Sequence, residues 1–91
     1  MGFFFTPKAI TKWKFDKVVV PKLVVKNFTH YEINIVREIF HGDLMSPNSG
    51  RVGISPKELN ESIDWMHHHE YIHHLPKNRV EELAEIMKSC F

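Results

Sequence analysis

The stretch His67-His68-His69-Glu70-Tyr71-Ile72-His73-His74 holds the side chains best suited to chemistry. Within it His69, Glu70 and His73 spell H-E-x-x-H. At that spacing one helical face offers two imidazoles to zinc and a carboxylate to the attacking water. A catalytic zinc takes three protein ligands and keeps one position open. The x-x-G-x-x-H continuation that would bring a third histidine is absent; His74, Leu75, Pro76 and Lys77 follow, and no histidine lies beyond position 74. A carboxylate of Glu81, Glu82 or Glu85 would have to return to complete the set. Five of the eight residues are histidine, so the match arises easily by chance. His69 and His73 stand as the metal candidates, but the run reads better as an exposed helix end, where positive charge suits the C-terminal dipole. No cofactor and no catalytic residue is assigned, and the chain reads as no enzyme. Five neighbouring imidazoles would repel one another once protonated, which gives this run a sensitivity to acid.

The elements that must position these residues belong to one small domain of 91 residues, 43% hydrophobic and 25% charged. No apolar run approaches the ~18 residues of a membrane span. Met1-Gly2-Phe3-Phe4-Phe5 lacks the charged start of a secretory signal. Cys90 is the single cysteine and has no internal disulfide partner, which fits a reducing, intracellular setting. The lysine-rich start is compatible with a mitochondrial one, although it lacks the arginine and serine of transit peptides.

The net charge of +1 hides a split. Residues 1–30 hold six lysines and one acid; residues 31–91 hold six basic and ten acidic residues. Residues 1–28 read as an extended basic, aromatic arm. Pro7 and Pro21 argue against a continuous helix there, and residues 14–18 form a candidate strand. Residues 29–91 read as a helical body. Thr29-His30-Tyr31-Glu32 has the capping-box form and opens a helix over 30–41, with Tyr31, Ile35, Val36, Ile39 and Phe40 on one face and Gly42 as its stop. Ser55-Pro56-Lys57-Glu58 opens a second helix over 56–70, carrying Leu59, Ile63 and Met66. Asn78 caps a third over 79–89, with Val80, Leu83, Ala84 and Met87 as its buried stripe. The fold class is therefore mainly α.

Glu32-Ile33, Arg37-Glu38-Ile39-Phe40, then Gly53-Ile54-Ser55 and Glu58-Leu59 resemble an EF-hand of the calmodulin superfamily. Val80-Glu81-Glu82-Leu83 with Ile86-Met87 resembles the entering helix of a second hand. The resemblance spans residues 29–91 and implies an incomplete EF-hand pair. Aligning Ile54 and Glu58 with the eighth and twelfth loop positions puts Pro47, Ser49 and Arg51 where oxygen donors belong and Val52 where glycine belongs. Calcium is therefore not expected to bind. A hand without its switch implies a fixed docking piece.

Taken together, these features favour a non-catalytic interaction or accessory subunit of a larger intracellular assembly, with other protein subunits as partners. Its candidate partner-binding residues are Phe3, Phe4, Phe5, Trp13 and Phe15 with Lys12, Lys14 and Lys17, aromatic anchors among cations. The alternative is a small winged-helix-like nucleic-acid-binding domain that stacks bases on Trp13 and Phe15 and reads with residues 55–71. Glu58, Glu61, Asp64 and Glu70 on that reading helix would repel phosphate. Metal-dependent hydrolysis through H-E-x-x-H ranks third.

Overall fold

A computed structural model describes residues 9–45 and 53–91, and these are mainly helical. The first helix, α1, runs over residues 12–25 as Lys12–Lys14, a wide turn over Phe15–Val19, and Val20–Val25. It is followed by α2 (His30–Met45), α3 (Pro56–His68), the single turn α4 (Glu70–His73) and α5 (Lys77–Lys88). α1 and α3 both pack on α5, and α2 packs on α3.

Residues 12–25 correct the expectation of an extended arm with a strand at 14–18. Phe15, Val19 and Leu23 recur every four residues, the helical period, and all three are fully buried. They join Val36 and Phe40 of α2, Leu59 and Met66 of α3, and Leu83 and Met87 of α5 in one hydrophobic core. Pro21 does not break the helix because the turn before it is widened. The Val20 N–H reaches back five residues to the Phe15 carbonyl, a π-type spacing. Such turns absorb the hydrogen bond and the space that a proline disrupts.

Ile10 and Ile54 make the extended pairing seen among the described residues, an isolated antiparallel bridge. Each N–H donates to the other's carbonyl, at 2.9 and 2.8 Å. Gly53 is required beside it: its φ is +120°, and a Cβ there would lie 2.6 Å from the Ile10 carbonyl oxygen.

Two of the three capped starts stand as read. Thr29 and Glu32 exchange hydrogen bonds at 3.1 and 2.8 Å, and Ser55 and Glu58 do so at 3.1 and 2.9 Å. Three boundaries move. Gly42 lies inside α2, which continues to Met45 because Leu44 adds a buried contact one turn beyond Phe40. α3 ends at His68 rather than residue 70. α5 opens directly after Pro76, whose carbonyl accepts from Arg79 and Val80, so Asn78 is not its cap. Tyr31 is corrected as well: it is 68% exposed, and the buried stripe of α2 is Ile33, Val36, Phe40 and Leu44.

Polar ties hold the helices in register. Asp16 on α1 pairs with Lys12 and with Arg37 of α2, whose guanidinium lies 5.7 Å from the Phe15 ring centroid. Arg79 of α5 donates to the carbonyls of Lys26 and Asn27 at 2.9 and 3.0 Å, pairs with Glu32 and Glu82, and stacks over Phe28 at 4.5 Å. Truncating it removes a donor from the Lys26 and Asn27 carbonyls just past α1 and from the Glu32 and Glu82 carboxylates. Arg79→Ala should lower the unfolding free energy by about 2 kcal/mol in urea denaturation. Arg79→Lys should recover little of it, because an ammonium cannot reproduce the planar fork.

The Arg37 guanidinium, then the Lys12 ammonium, hold the Asp16 carboxyl below the ordinary value of 3.8. A depressed carboxylate contributes stability that is complete above that ordinary value and is lost as pH falls through the folded one. Asp43 acts in the opposite sense: burial first, then the neighbouring Glu58 carboxylate, push it up. Asp16→Asn should therefore cost up to about 1 kcal/mol at pH 7, and the gap to the native chain should narrow as pH falls below 3.8 in urea titrations.

Candidate functional site

The H-E-x-x-H residues do not form a metal centre. α3 stops at His69, whose backbone (φ −133°, ψ 34°) leaves the helical region before α4 begins. His69 and His73 are thus set across a break and do not share one continuous helical face. The His69 Nδ1–H donates to the Trp65 carbonyl at 2.7 Å, and its ring stacks on Trp65 with centroids 4.5 Å apart. His73 is buried, 4% exposed. Its Nε2–H donates to the Met66 carbonyl at 2.6 Å, and its Nδ1 accepts from the Leu75 N–H at 2.9 Å. Both ring nitrogens are therefore engaged with backbone, and no lone pair is left for a metal. Among the described residues, no group of three or more His, Cys, Asp or Glu side chains is placed to hold a metal ion. The metal candidacy of His69 and His73 is corrected to a structural role: His73 pins the chain where α3 gives way to α4, and His69 braces Trp65.

The partner-binding candidates separate. Phe15 is fully buried, so it is corrected from anchor to core residue. It faces inward because it lies four residues before Val19, on the buried stripe of α1. Trp13 stands 68% exposed on the same helix. Lys17 is exposed, Lys14 is half-buried, and Lys12 is committed to Asp16 at 3.0 Å. Phe3, Phe4 and Phe5 lie outside the described residues, as do Pro47, Ser49, Arg51 and Val52 of the loop aligned with a calcium site.

A concave apolar surface lies elsewhere, between α2 and the α3–α4 junction. One part encloses about 450 Å³ and is lined by Tyr31, Ile35, Glu38, Ile39, Trp65 and Ile72, among others. A second part of about 320 Å³ is lined by Ile39, Glu61, Ser62 and Trp65. Ile39 and Trp65 belong to both, so the two parts form one groove. Tyr31, Trp65 and Ile72 are 68%, 38% and 53% exposed, a contiguous set of large hydrophobic side chains facing water. The signal for this groove was present on α2. Its apolar residues fall into two stripes at helical spacing, 31/35/39 and 33/36/40/44, and one core can take only one of them. None of Lys12, Trp13, Lys14 or Lys17 lines it.

No helix among the described residues is long and apolar enough to cross a membrane. Cys90 is buried beyond the end of α5, its Sγ 3.3 Å from the Ile86 carbonyl, which suits a packing residue.

If His73 is structural, His73→Ala leaves the Leu75 N–H buried without a partner and the Met66 carbonyl with the His69 N–H alone. Melting should show a loss of about 2–3 kcal/mol, and neither added zinc nor a chelator should shift the midpoint of the native chain. No protein-family model, no curated protein and no solved structure matches the chain.

Proposed function

We propose that this chain is a non-catalytic interaction subunit, an accessory piece of a larger intracellular assembly that docks another protein in the groove between α2 and the α3–α4 junction. One observation carries this reading: Tyr31, Trp65 and Ile72 are large, contiguous and exposed around a concave apolar surface. Buried aromatic anchors supply most of the affinity in protein interfaces, and water-facing patches of this kind are where such anchors sit. Trp65 is also held rigid by its stack on His69, so little side-chain entropy is lost when a partner covers it.

The resemblance to an EF-hand fits the same reading. α2 and α3 form the helix–loop–helix, Glu58 is engaged in its capping box, and Ile54 is buried at the bridge. In sensor hands, calcium opens a groove between such helices. Here a groove lies between α2 and α3. Against nucleic acid as the ligand, Glu38 and Glu61 line the groove, while Lys12 of the basic front is neutralised by Asp16.

Tagged full-length chain, purified from its source cells, should carry defined subunits at constant stoichiometry. Ile39→Asp and Trp65→Ala should weaken that association at least about tenfold, as expected for a central anchor. Trp13→Ala and Lys17→Glu should leave it unchanged. Loss through Trp13 and Lys17 with the groove variants intact would overturn the assignment.

A further inference from the structure

We propose that the outward face of α1 is a second docking surface and that its occupant is the surface of an anionic lipid bilayer. The face lies apart from the groove: none of Trp13, Lys17, Pro21 or Val25 lines it.

The register of the core sets this face. Phe15, Val19 and Leu23 are fully buried. Residues two positions from them lie on the opposite side of the helix, since each residue turns it by about 100°. Trp13, Lys17, Pro21 and Val25 are those residues, and all four are exposed. Lys14, Lys22 and Lys26 flank the row. At about 1.5 Å per residue the row is about 18 Å long, too short to cross a bilayer and suited to lie along one.

The face carries uncompensated positive charge. Asp16, the one acid of α1, is taken up by Lys12 and by Arg37. Among the described residues, Lys14, Lys17, Lys22 and Lys26 have no carboxylate within ion-pair distance, and Lys22 reaches the Ser89 hydroxyl at 3.4 Å. The same face is apolar toward its C-terminal end. Val24 and Val25 are exposed there, and a hollow of about 310 Å³ between α1 and α5 is lined by Pro21, Val25 and Ile86 together with Lys22 and Lys26. A lipid boundary answers both features at once. Lysine stems lie along apolar surface while their ammonium groups reach phosphate. Aliphatic side chains enter the acyl edge, and an indole such as that of Trp13 belongs among headgroups. Nucleic acid matches the charge alone: strand-binding surfaces stack successive bases on several aromatic rings, whereas this row has one ring at one end and Pro21, Val24 and Val25 at the other.

The test uses the full chain and vesicles of phosphatidylcholine, alone or with phosphatidylserine as a minor component. Co-sedimentation should require phosphatidylserine and should weaken steeply with added salt. An anionic surface favours binding by about fivefold per lysine, so Lys17→Glu combined with Lys22→Glu should weaken it at least about twenty-fivefold. Val25→Ser should weaken it severalfold. These side chains are exposed, so the melting midpoints of the variants should stay in place. Trp65→Phe leaves Trp13 as the only tryptophan, and its emission should shift to the blue on the anionic vesicles. Equal binding to phosphatidylcholine alone, or binding to neither vesicle, would overturn the proposal. Binding that survives the double lysine reversal, or that leaves Trp13 emission unmoved, would overturn the assignment to this face. Tighter binding to a single-stranded oligonucleotide at equal phosphate concentration would overturn it in favour of nucleic acid. Ile39→Asp, a groove variant, should leave vesicle binding intact. Subunit co-purification and vesicle binding are thus read on different variants, and either proposal can fail while the other stands.

Discussion

The Arg79 guanidinium connects more of this structure than any other polar group described. From α5 it reaches the closing carbonyls of α1, the N-terminal glutamate of α2 and a glutamate of its own helix, while its flat face lies on Phe28. A helix end leaves several carbonyls without partners inside the helix. At Lys26 and Asn27 the chain turns through a left-handed residue, Asn27 at φ 66°, and the exposed oxygens are taken up by the planar donor fork of one arginine. The α1–α2 corner is thereby tied to α5.

The same economy explains why the first helix belongs to the body. A chain of 91 residues has little core to spare. Phe15, Val19 and Leu23 supply fully buried side chains that the remaining helices would otherwise lack. Lys17 and Lys22 between them are exposed, and Asp16 pairs with Lys12 and with Arg37. What looks like a basic arm in composition is an amphipathic helix whose charged side remains in water.

The histidine run shows how a motif can match while its chemistry is absent. H-E-x-x-H requires a continuous helix, but its first histidine, His69, is the non-helical residue between α3 and α4. Once the helix breaks, two of the imidazoles become backbone partners: His69 for Trp65, and His73 for Met66 and Leu75. The histidines thus shape the groove, since the residue they brace, Trp65, is one of its walls.

Much of the architecture was legible along the chain. Both capping boxes, the stripe Val80–Leu83–Ala84–Met87 and the burial of Leu59 and Met66 follow spacings of a few residues, which residue order determines directly. The course of α1 was not legible, because Pro21 is a breaker unless a wide turn precedes it, and only burial of Phe15 and Val19 in a distant core stabilises that turn. The choice between the two apolar stripes of α2 was likewise open until one of them joined the core shared with α1, α3 and α5. The fate of His73 depended on where the Met66 carbonyl and the Leu75 N–H came to lie. Local hydrogen bonding wrote the helices into the sequence. Which faces were buried, and which were left to form a groove, was decided by packing between segments far apart in the chain.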